Sequence, residues 1–281
     1  MNSRSKNEIR RCRPLLGTFV EITAGGLPDA ELHAAVNDAF AAIERIHHAM
    51  SAHDPGSELS LLNQEAAKHP VAVSRELFSV LTRADAMATE SNGAFDYTVA
   101  STLAGWGFLP ERLKRKHAGN WRDVLLLRGR KVYFLQPLTL DLGGIAKGFA
   151  VDTAIDALQK RDVPSGIVNA GGDLRVFGRQ PATIHLRHPA QPHILAHALE
   201  LRTAALATSS PCFTKKDLNG RRVSHLVNPA NEQPVLDNIS VSVRAPKCWL
   251  ADALTKVVLN APEKAGRLLQ KFEAEAFMLS A

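Results

Sequence analysis

Cysteine is scarce in this chain, with only Cys12, Cys212 and Cys248 among 281 residues. The number is odd and no two share a paired spacing. That excludes a disulfide framework and a cysteine-based zinc site, and all three read as reduced thiols. Long apolar runs are missing too. The N-terminal stretch PLLGTFVEI is short and interrupted by Gly17 and Glu21, a poor signal-peptide core, and no later segment has the length to span a bilayer. A cytoplasmic protein without a membrane span is therefore expected. Internal repeats, linkers and low-complexity tracts are absent. So are the G-x-x-x-x-G-K-[ST] loop and any G-x-G-x-x-G following a strand, which removes two familiar phosphate-binding devices.

What remains is a globular composition, 45% hydrophobic and 22% charged, long enough to bury a substantial core. The net charge of +6 suits an anionic partner. Part of the excess sits in RSKNEIRRCR at the start and in ERLKRKH from Glu111 to His117. Neither run carries interleaved aromatics or a nucleic-acid module, so solvated charge is expected there and no nucleic acid as partner.

Periodicity lays out the elements. LLGTFVEITA, Leu15 to Ala24, alternates as a strand. Leu32, Ala35, Val36, Ala39, Phe40, Ile43, Ile46 and Met50 fall at helical spacing, with Asp29 as the start. A loop through HDPGSE precedes a helix from about Ser74 to Ser91. DVLLLRGRKVYFL reads as a hairpin turning at Arg128 and Gly129, and LTLDLGG as a strand leading into a helix from Ile145 to Arg161. GIVNAGGDLRVFG, ATIHLRH, HALELRTAALATS and ISVSVRA are strand-like. CWLADALTKVVLNA and EKAGRLLQKF are helical, and AFMLSA is a final strand. Strands and helices are grouped rather than alternating, which predicts an α+β fold. A single domain over 13–275 follows, with residues 1–12 as a basic N-terminal tail.

Four places could carry chemistry. In DLGGIAKG, Gly143 and Gly144 allow close backbone approach, the helix that follows offers unpaired N–H groups to an anion, and Lys147 adds a cation. The same octapeptide also reads as a plain strand, turn and helix. VNAGGDLRVFG places Asn169 and Asp173 beside a glycine turn, either to hold that turn or to bind a ligand. His225 in SHLVNP is either a structural histidine or a site residue. Asp252 faces inward on an apolar helix, and a buried carboxylate requires a cap, an ion pair or a metal.

In series, LLGTFVEI, MSAHDPGSELSLLN, GAFDYTV, WGF, DLGGIAKGFAVD, VNAGGDLRVFG, ALATSS, SHLVNP and ADAL resemble the bacterial FAD:protein FMN transferase family, from about Arg13 to beyond Ala261. The resemblance implies an α+β fold related to the tunnelling fold, with flavin between two closely packed lobes. It implies cleavage of FAD with Mg²⁺ and transfer of FMN to a Thr or Ser hydroxyl of an acceptor flavoprotein. Flavin binding without transfer, or hydrolysis of FAD without an acceptor, would use the same residues. By resemblance, Leu16, His53, Ala94, Phe95, Asp96, Asp141, Lys147 and Leu226 fall at cofactor-binding positions. His225 and Asp252 fall at catalytic ones, and Gly144 and Asp252 at the metal.

Several positions depart from the family pattern. Leu16 stands for Met, His53 for a flavin-stacking Tyr, Ser210 for Gly, and Asn228 for Asp. Lys256 replaces the metal-binding Thr four residues after Asp252, and Thr255 precedes it. A residue four along a helix returns within about 40° of the first, whereas one three along lies about 60° to the other side. Lys256 is thus expected beside Asp252 and near the metal position. Thr255 could serve as a ligand only if the helix were rotated.

Overall fold

A computed structural model describes residues 7–114, 119–191, 193–212 and 214–280. Of the two basic runs, 1–6 and 115–118 lie outside the described residues. Residues 8–12 are not a tail. They open β1 (Glu8–Leu15), which pairs antiparallel with β2 (Thr18–Gly25). The arginines that suggested a tail alternate across this strand. Arg10 bonds Glu21 at 2.6 Å on one face, while Arg11 reaches Asn37 and Arg13 reaches Glu44 on the other.

The long helix α1 (Asp29–Met50) buries the apolar stripe expected of it. A short helix, α2 (Glu58–Glu65), follows where only a loop was expected. Ser57 caps it by accepting from the Ser60 N–H at 3.0 Å. Next come β3 (Val71–Ala72), α3 (Arg75–Glu90) and α4 (Ala100–Gly105). The hairpin β4 (Val124–Leu127) and β5 (Lys131–Phe134) joins β3 in a small sheet ordered β3-β5-β4.

No strand forms at LTLDLGG. Leu140 is held by a side chain instead, its N–H donating to Asn63 Oδ1 at 2.8 Å and its carbonyl accepting from Asn63 Nδ2 at 3.0 Å. The Asp141 N–H donates to the Tyr97 carbonyl at 2.8 Å. Leu138, Leu140 and Leu142 are buried as expected, but Thr139 between them is buried too, and no ladder accompanies the run. The segment leads into α5 (Ala146–Gln159).

Two hairpins follow, β6 (Ser165–Ala170) with β7 (Asp173–Phe177), and β8 (Ala182–Arg187) with β9 (Leu195–Leu201). Thr203, at φ 48°, breaks HALELRTAALATS, so that β10 (Ala205–Ser209) is a separate strand. Short pairs β11 (Lys216–Leu218) with β12 (Arg221–Val223), and β13 (Val227–Asn228) with β14 (Gln233–Pro234), precede β15 (Ile239–Ala245). The chain ends with α6 (Cys248–Asn260), α7 (Pro262–Lys271) and β16 (Glu275–Ser280). The main sheet runs β1-β2-β6-β7-β10-β15-β16. This is the α+β class, and among the described residues no helix is long and apolar enough to cross a membrane.

Helices α1, α5 and α6 cover one face of that sheet. The hairpin β8–β9 covers part of the other, over Leu174, Val176 and Leu206. Helices α5 and α6 meet at Gly148, where an added Cβ would lie 2.4 Å from the Cys248 carbonyl oxygen. Deeper between them, Arg175 pairs with Asp152 at 2.8 Å, and Asp152 also accepts from the Trp249 N–H at 3.0 Å, capping α6. Gly148→Ala forces these helices apart and costs about 1–3 kcal/mol, read as a lower midpoint in urea denaturation.

Candidate functional site

A cleft of about 1600 Å³ opens where the helical layer meets the turns of the main sheet. Each element delivers its side chain for a local reason. The β1–β2 turn places Leu16 on the rim, at φ 57°. The end of α1 leads to His53. Phe95 and Asp96 follow α3, with Asp96 Oδ1 accepting from the Thr98 N–H at 2.8 Å and the Thr98 hydroxyl at 2.7 Å to shape the turn into α4. Asp141 and Gly144 precede α5, Lys147 lies in its first turn, and Lys256 projects from α6. His225 and Leu226 arrive on the bend between β12 and β13.

Leu16, His53, Phe95, Asp96, Asp141, Gly144, Lys147, His225, Leu226 and Lys256 therefore line one cleft. Three expected residues do not. The Ala94 carbonyl is turned to Asn260 Nδ2, which it accepts from at 3.0 Å. Asp252 is fully buried behind the two lysines. Thr255 is fully buried on the sheet side of α6, where its hydroxyl donates to the Asp252 carbonyl at 2.7 Å and lies 2.7 Å from Ser209 Oγ. Thr255 cannot act as a ligand in the cleft, as the helical spacing foreshadowed.

The charged centre is compact. Lys147 pairs with Asp173 and lies 3.7 Å from Asp252 Oδ2. Lys256 bonds Asp252 Oδ1 and donates to the Asp252 carbonyl at 3.0 Å. Asp252 Oδ2 also accepts from the Gly148 N–H at 3.2 Å. Burial would raise the Asp252 carboxyl, but Lys147 and Lys256 together hold it below the usual carboxylate range. Asp173 is raised, first by burial and then by the nearby Asp252 charge. Burial lowers Lys147, and Asp173 and Asp252 outweigh it, so this ammonium stays charged. Asp141 is raised, chiefly by burial.

Two readings from sequence change here. The amides expected to hold an anion are largely committed, with Ile145 and Ala146 donating to the Leu142 carbonyl and Gly148 to Asp252. Asn169 Oδ1 accepts from the Gly172 N–H at 2.9 Å, holding the β6–β7 turn, and Asp173 is the buried partner of Lys147. Both residues hold the scaffold of the site and also line the cleft. Asn260 escaped notice in the sequence. It ties the Ala94 carbonyl to the Val227 carbonyl at 3.3 Å, so one amide joins the Phe95 loop to the His225 loop. The helical stripe of α6 marks the position as its last turn, but nothing in the spacing signals the loops it bridges.

His225 opens onto the cleft while protein walls surround it. Their desolvation, then the charges of Lys256 and Lys147, lower its pKa to about 4. Its Nδ1 lies 2.5 Å from Thr214 Oγ1, whose hydroxyl donates to the Pro211 carbonyl at 3.3 Å. This arrangement is compatible with the tautomer in which Nδ1–H donates to the threonine oxygen and Nε2 keeps a lone pair.

The Mg²⁺ implied by the resemblance would need oxygen donors at Asp252 and Gly144. Both Asp252 oxygens already accept from protein donors, and Lys256 packs over Gly144, where an added Cβ would lie 3.5 Å from Lys256 Cε. Among the described residues no group of three or more His, Cys, Asp or Glu could hold a metal ion. This donor set does not fit a divalent cation at Asp252.

Comparison with known proteins identifies the family and the fold. The chain matches the ApbE family over residues 16–278. It is 30% identical to the FAD:protein FMN transferase of Treponema pallidum, covering 94% of this chain and 82% of that protein. It is 29% identical to the enzyme of that name from Vibrio cholerae, covering 80% and 72%. Among solved structures, the ApbE protein of Thermotoga maritima superposes with a TM-score of 0.86 at 26% identity, covering 97% of this chain and 94% of that one. A histidine-to-glycine variant of the Vibrio cholerae flavin transferase ApbE gives 0.83 at 26% identity, covering 97% and 93%. The chain belongs to the ApbE family.

Proposed function

We propose that this protein transfers FMN from FAD to a Thr or Ser hydroxyl of an acceptor flavoprotein. The observation that carries the reading is the convergence of His225, Lys147 and Lys256 on one cleft in a chain of this family. The acceptor hydroxyl attacks the phosphorus of the FMN half, forming a phosphodiester. The bond from that phosphorus to the bridging oxygen breaks, and AMP leaves with the oxygen. His225 Nε2 takes the hydroxyl proton. Lys147 and Lys256 stand against the charge that develops on the diphosphate. No step is routed through a metal, since the surroundings of Asp252 do not fit the Mg²⁺ expected from the resemblance.

The cleft continues over the open face of the sheet, lined by Thr183, His185, Thr208, Ser240 and Ser242. Thr208 Oγ1 and Ser242 Oγ lie 2.8 Å apart across β10 and β15. This hydroxyl-rich floor suits an extended acceptor segment. The test is incubation with FAD and an acceptor flavoprotein domain, followed by acceptor mass and AMP. A gain of one FMN per AMP released supports transfer. AMP and FMN released with an unmodified acceptor means hydrolysis, and bound FAD with neither product means a binding protein.

Two variants probe the parts. Lys147→Ala weakens FAD by about tenfold or more through loss of a charge-assisted contact, with riboflavin affinity unchanged. Equal FAD affinity for both proteins would remove Lys147 from the diphosphate. Thr214→Val releases the Nδ1 proton and lowers kcat by about tenfold, a fraction of the full contribution of a general base, with KM for FAD unchanged. A change confined to KM would assign Thr214 to binding instead.

A further inference from the structure

We infer that the Lys256 ammonium takes the place of a divalent cation at Asp252, so that the cleft binds the diphosphate of a flavin dinucleotide through Lys147 and Lys256 with no divalent ion. This rests on the flavin-dinucleotide reading above and deepens it.

Charge balance carries the first part. The ion-paired groups are two carboxylates, Asp173 and Asp252, and two ammonium groups, Lys147 and Lys256, with the Asp141 carboxyl, which burial raises, beside both lysines. With Lys147 alone the group would be one positive charge short of neutral, a deficit a bound cation commonly fills. Lys256 fills it from within the chain. A divalent ion entering at Asp252 would have to displace a lysine already bonded to Oδ1 and to the Asp252 carbonyl. It would also approach two ammonium groups in a poorly solvated pocket.

Geometry carries the second. The Lys256 side chain is 16% exposed and that of Lys147 31%, and both line the cleft, whereas Asp252 is sealed behind them. Each ammonium has three N–H groups. Lys147 spends its closest contact on Asp173, and Lys256 spends two on Asp252, so donors remain for ligand oxygens. The Lys256 stem lies over Gly144, where an added Cβ would lie 3.3 Å from the Phe95 ring as well as 3.5 Å from Lys256 Cε. Its head is thereby fixed between α5 and α6 rather than left to wander in solvent. Asp252 acts as a positioning residue, setting the distance between two cations that face an anionic ligand.

The experiment titrates the full chain with FAD by flavin fluorescence, once in EDTA and once in excess MgCl₂, with riboflavin in parallel. The FAD affinity is expected to agree between the two buffers within about twofold, and to exceed that for riboflavin by about tenfold or more in both. Lys256→Met keeps the stem over Gly144 and removes the charge. It is expected to weaken FAD in EDTA by about tenfold or more while leaving riboflavin unchanged. An FAD affinity for the parent protein that falls about tenfold in EDTA would overturn the inference but leave the dinucleotide reading intact. So would unchanged FAD affinity in Lys256→Met. FAD bound no better than riboflavin in either buffer would overturn both.

Discussion

His225→Gln lowers the rate of FMN transfer by about 10²- to 10⁴-fold, the usual contribution of a general base, while FAD affinity stays within about twofold. Gln can still donate to Thr214 Oγ1, so the bend between β12 and β13 keeps its anchor, but an amide cannot take up the hydroxyl proton. The pH dependence separates this role from mere packing. With its pKa lowered to about 4 by desolvation and by the two lysines, His225 is neutral from about pH 5 upwards. It is in its base form throughout that range and protonates only as pH falls through about 4. The parent enzyme should therefore show no titration of the rate near pH 6.5, where an ordinary histidine titrates. A limb of that kind, lost in His225→Gln, would contradict the environment described. Unchanged transfer by the variant would remove His225 from the reaction.

Asp252→Asn destabilises the protein by about 3–5 kcal/mol, the cost of breaking a buried ion pair from one side. The amide can still accept from the Gly148 N–H. The loss is thus the charge, which leaves Lys256 held only by the Asp252 carbonyl and Lys147 by Asp173 alone. Urea denaturation measures the effect, and a double-mutant cycle apportions it. Asp252→Asn combined with Lys256→Met should be more stable than the sum of the single losses by about 1–3 kcal/mol, because the second change removes the ammonium the first left unpaired. Strict additivity would mean that Lys256 and Asp252 are not energetically coupled.

Where chemistry and periodicity coincided, the fold was readable from the chain. The stripe from Leu32 to Met50 forms α1, and Ser74 caps α3 at the expected place. Elements held by side chains were not readable. The leucines of LTLDL alternate as a strand should, yet Leu140 bonds the Asn63 side chain, a partner 77 residues away. Helix α2 has two turns and little apolar patterning, so periodicity did not set it apart from a loop. The Arg-rich segment before Pro14 looked like a tail because charge was read without alternation, and its arginines lie on both faces of β1.

The site divides in the same way. Local spacing put Lys256 beside Asp252 and Thr255 away from it, because a helix fixes that angle whatever the surroundings. The partner of Lys147 was beyond reach of such counting. Asp173 opens a strand reached through a whole helix and the strand β6, and only the packing of α5 on β7 brings the two together. The amides at the start of α5 looked available for an anion until Asp252, more than a hundred residues on, occupied the one at Gly148.

A crystal structure grown with FAD and MgCl₂ tests the account most directly. It should show the diphosphate oxygens within hydrogen-bonding distance of Lys147 Nζ and Lys256 Nζ, His225 Nε2 facing the FMN phosphorus across the cleft, and Lys256 still bonded to Asp252. A divalent ion on Asp252 with Lys256 swung out of the cleft, or a diphosphate seated away from both lysines, would contradict it.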